Sequence, residues 1–293
     1  MTKAHPLRSA ARDDAALPWP QRMAINLMRW CLVLLRPPPR RQALPPWLTG
    51  RAIAVIALLL AAIVASMFFL DTAASAWARQ LPPWFRAIFE EITTFGLSGW
   101  FLYPLGFGLL LLAAVISPAL PHLAQGVLAA LAARCGFLFL AIGAPGLFTT
   151  IVKRLIGRAR PYVGGYDNPF LYKPVIWRPE YASMPSGHAT TAVAAAMAIG
   201  AVWPRARPVM WLYALAIMAS RVIVLAHHPS DVVAGALVGG LGALMMRRAF
   251  AARHLVFCAN DLRHYPRPSW RRVKAAIMRV ITGRGRSQRA SNR

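Results

Sequence analysis

The stretch 183-SMPSGHATTAVAAAMAIGAV-202 decides how this chain is read. A turn made of Pro185, Ser186, Gly187 and His188 opens an apolar run rich in Ala, Val, Met and Ile. No Asp, Glu, Lys or Arg interrupts 188–203, so the run reads as a short membrane helix with a histidine at its mouth. His188 is therefore either a packing or pore residue, or half of a catalytic pair whose partner lies elsewhere.

Five further runs resemble it in apolarity. With 188–203 they give six candidate spans, near 52–70, 100–117, 135–152, 208–226 and 230–246 for the other five. The expected fold is all-α: a polytopic membrane protein of six transmembrane helices, with the functional core built from the last four. Composition agrees. The 293 residues are 57% hydrophobic yet carry 34 Lys and Arg against 9 Asp and Glu, a net charge of +25. Because the cations sit at the ends and between apolar blocks, membrane topology explains them and a nucleic-acid-binding face does not.

The division expected is a basic N-terminal segment over 1–51, a membrane domain over 52–246 and a basic tail over 247–293. Within the first, Pro20 to Arg36 reads as a helix. Arg22, Arg29 and Arg36 recur on one face beside Asn26, which fits a helix lying on the membrane or an extra short buried helix. A stiff Pro-rich linker, 37-PPPRRQALPPW-47, follows. The first 18 residues hold no apolar core of signal-peptide length, so the first span serves as an uncleaved signal. Cys31, Cys135 and Cys258 are scattered and suggest neither a disulfide framework nor a metal site.

Six spans put both termini on one side. The two tails, with Arg134, Arg205 and Arg207, hold 25 cations against Asp13, Asp14 and Asp261, so that side is cytoplasmic by the positive-inside rule. The segments 71–99, 153–187 and 226–230 then face outward. One of them resists the rule: 153-KRLIGRAR-160 carries four cations in eight residues. Topology leaves that cluster unexplained, and function is the better account.

Three segments share this outer level: 153-KRLIGRARP-161, 185-PSGH-188 and 220-SRVIVLAHHPSD-231. Lys153, Arg160 and Arg221 are fixed cations suited to phosphate oxygens. Ser186 and Gly187 stand at a helix N-terminus, where free N–H groups favour an anion. His188 and His227 can exchange protons near neutrality. Asp231, four residues after His227 across a turn at Pro229, is placed to accept its N–H and fix the tautomer. Nothing in the set suggests a metal.

Lys-x6-Arg-Pro, Pro-Ser-Gly-His and Ser-Arg-x5-His-x3-Asp together resemble the type 2 phosphatidic acid phosphatase superfamily, integral-membrane lipid phosphatases related to bacterial acid phosphatases and vanadium haloperoxidases. Lys153, Arg160, Pro161, Pro185, Ser186, Gly187, His188, Ser220, Arg221, His227 and Asp231 fill every motif position. The resemblance covers 153–231. It implies that His227 attacks phosphorus to form a phosphohistidine, held by Asp231. His188 then protonates the leaving oxygen and activates water, while Lys153, Arg160, Ser186, Gly187 and Arg221 hold the equatorial oxygens.

The activity expected is metal-independent and cofactor-free hydrolysis of a lipid phosphate or diphosphate at the periplasmic face of a bacterial-type inner membrane. Undecaprenyl diphosphate, phosphatidylglycerol phosphate, phosphatidate and lipid A phosphates all fit. The rivals are transfer to a lipid acceptor, vanadium-dependent halide oxidation, and a non-enzymatic anion-binding relative. The partners expected are the lipid substrate and anionic bilayer lipids, not nucleic acid. His228 lies one residue off the motif frame and is left out of the catalytic set. Arg154, Arg158, Lys173 and Arg178 read as a solvated face, and Trp77, Trp84, Trp100 and Trp177 as an aromatic belt. The segment 82-PPWFRAIFEEITTFG-96 reads as an outer amphipathic helix shielding the site, and the tail 267–286 as lying on the inner leaflet.

Overall fold

The computed structural model describes residues 17–37, 50–164 and 168–257. The reading of the tail at 267–286 falls outside them, as does most of the Pro-rich linker. The described residues form nine α-helices: α1 (Trp19–Leu35), α2 (Gly50–Phe69), α3 (Asp71–Arg79), α4 (Pro83–Thr94), α5 (Gly99–Val115), α6 (His122–Ile156), α7 (Gly187–Val202), α8 (Arg207–Ile223) and α9 (Pro229–Ala252). They divide into two compact units, one lying within Met1–Pro39, Gly106–Gly136 and Phe250–Arg293, the other within Arg40–Leu105 and Phe137–Ala249.

The chain is an all-helical, multi-pass membrane protein, and each expected span falls on a helix. By length and composition the count of six is not met in full. Four stretches are long and apolar enough to cross a bilayer: Pro83–Val115, His122–Ile156, Pro204–Ile223 and Pro229–Ala252. A fifth requires Ile53–Phe69 and Asp71–Arg79 to act together, and these are bent by 52° at Leu70. The sixth, α7, has 16 residues, about 24 Å at 1.5 Å per residue, which falls short of a hydrocarbon core of about 30 Å. The third span is also longer than expected, because α6 begins at His122 and absorbs most of the connection once placed before Arg134.

α7 tolerates its shortness because it is encased. Its small side chains from Ala189 to Ala196 are all buried. Ala192, Val193 and Ala196 form a core with Ala214 and Ile217 of α8. Against α9 the approach is closer still. A β-carbon on Gly235 would stand 2.4 Å from the Ser186 carbonyl oxygen, and one on Gly239 2.3 Å from that of Thr190, so only glycine fits at either position. Thr190 also fastens three helices: its hydroxyl pairs with Thr149 of α6 at 3.1 Å and reaches the Gly235 carbonyl of α9 at 3.1 Å.

In the first unit, α1 turns its polar face inward. Asn26 is buried, and its amide donates to the carbonyls of Ala113 (2.9 Å) and Ile116 (3.0 Å), while Arg22 reaches Ala114 at 3.4 Å. These are the carbonyls a helix C-terminus leaves without intrahelical donors, and Arg22 adds a cation at the negative end of α5. Met28, Leu32 and Leu35 stay exposed on the opposite side, the surface a helix lying on a membrane requires.

Candidate active site

Chain direction builds the site within the second unit. Lys153 lies in the last turn of α6, Ser186 caps α7, Arg221 lies in the last turn of α8, and α9 opens at Pro229. The Ser186 hydroxyl accepts the Ala189 N–H at 3.5 Å, which starts α7 and leaves the first N–H groups of that helix unpaired within it. The Ser186 N–H donates to the Asp231 carbonyl at 3.0 Å, joining the mouths of α7 and α9.

The turn from α8 to α9 doubles back tightly. The N–H groups of Ala226 and His227 both donate to the Arg221 carbonyl at 3.1 Å, and Leu225 takes φ 56°, the left-handed region. For a leucine that conformation costs about 1–2 kcal/mol, tolerated because hydrogen bonds on both sides hold the turn. Its effect is to fold His227 back beside Arg221.

The loop after α6 is pinned by its own backbone. Ala159 donates to Leu171 (2.9 Å), Arg160 to Glu180 (2.9 Å), Lys173 to Gly157 (2.7 Å) and Ser183 to Arg158 (3.1 Å). Arg158 and Ser183 are thereby neighbours, and both reach Asp231. Ser183 donates to its Oδ2 at 2.6 Å, Arg158 to its Oδ1 at 2.5 Å, and the His228 N–H to Oδ2 at 2.9 Å.

Two expectations change here. His227 makes no direct hydrogen bond to Asp231: Nδ1 and Oδ2 are 3.9 Å apart. Ser183 stands between them, its Oγ 3.4 Å from His227 Nδ1. With its single proton committed to Asp231, the hydroxyl can only accept from Nδ1, which leaves Nε2 as the lone-pair nitrogen. The second correction concerns Arg158, read as part of a solvated face but 0% exposed. Its guanidinium also donates to Asp71 Oδ2 at 2.7 Å and Ser230 Oγ at 2.7 Å. Burial opposes the charge, but Asp231 and Asp71 outweigh it and raise the group above its ordinary value. Of the other three cations, Arg154 stacks over Trp177 and Lys173 over Tyr181.

Arg221, His227, Arg160 and Lys153 all lie within electrostatic reach of His188. The Nε atoms of Arg160 and Arg221 are buried without a hydrogen-bond partner, and Arg221 donates to Thr93 Oγ1 of α4 at 2.6 Å. The segment 82–96 does form a helix, and its end meets the site: a β-carbon on Gly96 would stand 2.7 Å from the His188 ring. His227 is 4% exposed. Burial, with Arg221 and Arg160 adding repulsion, brings it down to about 4 against the pull of Asp231, so the ring is neutral at physiological pH. Among the described residues, no three His, Cys, Asp or Glu side chains are placed to hold a metal ion.

His228 faces away from this cluster. It is 1% exposed, with Nδ1 3.4 Å from Ser75 Oγ. A groove of about 360 Å³ runs from His188, Gly187 and Lys153 along Gly143, Gly146 and Leu147 of α6 to Leu102 of α5. One end is therefore cationic, and the remainder is lined mainly by leucines and glycines with Ser98, Thr150 and Thr191 among them. Asp71, Ser183 and Arg158 are the residues the sequence motifs omit.

Comparison with known proteins places this arrangement. The PAP2 superfamily model matches residues 134–255, which include every motif residue. A lipid A 1-phosphatase of Rhizobium johnstonii is 32% identical over 205 residues, covering 67% of this chain and 80% of the relative. A decaprenylphosphoryl-5-phosphoribose phosphatase of Mycobacterium tuberculosis is 35% identical over 96 residues, 32% of this chain and 50% of that one. The crystal structure of a transmembrane PAP2-type phosphatidylglycerolphosphate phosphatase from Bacillus subtilis aligns over 77% of this chain and 94% of its own, with a TM-score of 0.43 and 16% identity. On the strength of the long Rhizobium match and the family model, this chain belongs to the PAP2 superfamily.

Proposed function

We propose that the protein is a lipid phosphate phosphatase that works through a phosphohistidine on His227. The observation that carries this reading is the setting of His227: buried, neutral, with Nδ1 engaged by Ser183 and with Arg160, Arg221 and His188 around it. A neutral imidazole has the lone pair that attack on phosphorus needs, and the cations stabilise the charge spread over the phosphoryl oxygens. The Nε2 lone pair forms the N–P bond as the bond from phosphorus to the lipid oxygen breaks, and that oxygen takes a proton from His188. Water then gives a proton to His188 as its oxygen attacks phosphorus, and the N–P electrons return to Nε2. Lys153, Arg160, Arg221, Ser186 and Gly187 hold the phosphate. With that charge met by side chains and N–H groups, the reaction proceeds without a metal.

The groove supports an amphiphilic substrate, its tail along Gly143, Gly146 and Leu147 and its phosphate at Lys153 and His188. Named activities of the relatives, a lipid A 1-phosphate and a polyprenyl-linked sugar phosphate, make lipid A and polyprenyl phosphates the first substrates to test. Purified protein should release inorganic phosphate from at least one of lipid A, undecaprenyl diphosphate, phosphatidylglycerol phosphate or phosphatidate, undiminished by a chelator. Strict metal dependence or transfer to a lipid acceptor without free phosphate would overturn the assignment. The site is assigned to the periplasmic side of an inner membrane with both termini cytoplasmic, and a reporter fused after Arg293 should be active only in the cytoplasm.

Two expected results follow from the geometry. A β-carbon on Gly146 meets nothing within 4 Å and the residue lines the groove, so Gly146→Trp is expected to obstruct it. It should lower kcat/KM for a long-chain lipid phosphate on the order of 10-fold or more and change hydrolysis of a short water-soluble phosphate less than about 2-fold. Equal losses on both substrates would remove the groove from the account.

The second result concerns pH. His227 must be neutral to attack, so the enzyme's acidic limb falls as pH drops through about 4, not through the ordinary histidine range. The sign for stability is the same. The unfolded chain takes this proton near 6.5 and the folded chain only near 4, so the contribution is whole above the first value and lost as pH falls toward the second. Single-turnover rates between pH 3.5 and 7 read the limb directly.

A further inference from the structure

We propose that Asp71 is a positioning residue of this site: it neutralises Arg158 and so leaves the charge of Asp231 available to the cation that forms on His227. The inference rests on the phosphohistidine reading above. Asp71 opens α3 at the 52° break in the chain, far from every motif, yet it is 0% exposed and fully engaged. Arg158 and the Ser230 hydroxyl donate to its Oδ2, at 2.7 and 2.5 Å, and the Ser230 N–H to its Oδ1 at 3.0 Å. Ser66 adds a donor at 3.4 Å. Ser230 neighbours Asp231, so the contact ties the break to the mouth of α9.

Counting charges gives this contact its meaning. Two carboxylates, Asp71 and Asp231, share one guanidinium, and the adjoining rings of His227 and His228 are neutral. The buried cluster therefore carries one negative charge. When Nε2 bonds to phosphorus while Nδ1 keeps its hydrogen, the ring gains one positive charge and the cluster becomes neutral. Without Asp71, Arg158 would consume the charge of Asp231, and the same step would create an unmatched buried cation. His227 is also within reach of Arg160 and Arg221, whose charge the bound phosphate meets, and Lys153 acts on His188. Tyr172, beside Arg158, is neutral, since burial raises its phenol above the ordinary value. Asp71 alone supplies the second negative charge among the described residues around Arg158.

The test uses full-length protein in detergent with Asp71→Asn, Arg158→Gln and the double variant. Asp71→Asn keeps the shape and brings the cluster to zero charge. It should slow phosphoenzyme formation and kcat by on the order of 10- to 100-fold with KM within about 3-fold of wild type. The double variant removes one charge of each sign and restores the single negative charge, so it should recover about 5-fold or more over Asp71→Asn. A network serving only as a structural staple predicts the opposite, a double variant worse than either single one. Wild-type kcat in Asp71→Asn, or a double variant no faster than it or unable to fold, overturns the proposal. If Asp71→Asn itself fails to fold, the double variant carries the test alone: it should keep at least about a tenth of wild-type kcat, and less overturns the idea. His227→Ala separates the two levels. An active His227→Ala protein refutes the phosphohistidine reading, whereas an inactive one beside a fully active Asp71→Asn refutes only the role of Asp71.

Discussion

His227→Ala should abolish phosphate release, by on the order of 10³-fold or more, while the protein still inserts and melts near the wild type. The expectation is large because the variant removes the atom proposed to bond to phosphorus, and neither nearby histidine is placed to replace it. His188 sits at the mouth of α7, assigned to the leaving group, and His228 is buried toward Ser75 with its ring turned to a different partner. The stability effect is small by comparison. The ring is neutral and its side-chain partner among the described residues, Ser183, keeps its stronger bond to Asp231 at 2.6 Å. Phosphate release measured alongside thermal denaturation in detergent separates the two effects. A folded variant with more than a few per cent of wild-type activity would remove His227 from the chemistry.

Arg158→Leu should act on stability instead, and strongly. Leucine leaves Asp71 and Asp231 both fully buried with no counter-charge, and breaking a buried ion pair from one side costs about 3–5 kcal/mol. The loss is not one of packing, since leucine fills part of the same space. It arises because two fully buried carboxylates would be held near one another with their shared guanidinium gone. Chemical denaturation in detergent should show this as a shift of the midpoint toward lower denaturant. A loss below about 1 kcal/mol would mean that the carboxylates find other partners, and that Arg158 is not the centre of the network.

The fate of Arg158 also marks where sequence reasoning stops. The three motifs were readable because each holds its residues at fixed spacing on one helix end or one turn, so Lys153, Ser186, Arg221 and His227 could be placed on a common face from span order alone. Arg158 and Arg160 lie two residues apart in the same extended segment. Nothing in that segment says that one meets carboxylates and the other faces the histidines. The deciding partner, Asp71, is 87 residues away and belongs to no spacing pattern. A signal did exist: a carboxylate directly after an apolar run, in a chain with nine acids, flags a paired or functional charge. Ser183 lies just before the helix mouth but carries no pattern of its own, and its place between His227 and Asp231 depends on the Arg158 carbonyl that fixes its backbone. Span lengths were blurred for another reason. α7 is buried by neighbours on all sides, so its composition reports helix packing and not bilayer thickness.

The central claim is that His227 carries the phosphoryl group. The most direct measurement is to mix the protein with a lipid phosphate labelled at phosphorus, quench within one turnover and locate the label. The account predicts an acid-labile, base-stable phosphoramidate on the peptide containing His227, formed and discharged at rates compatible with kcat. A label on serine or aspartate, or full turnover with no covalent label in wild-type protein, would contradict it.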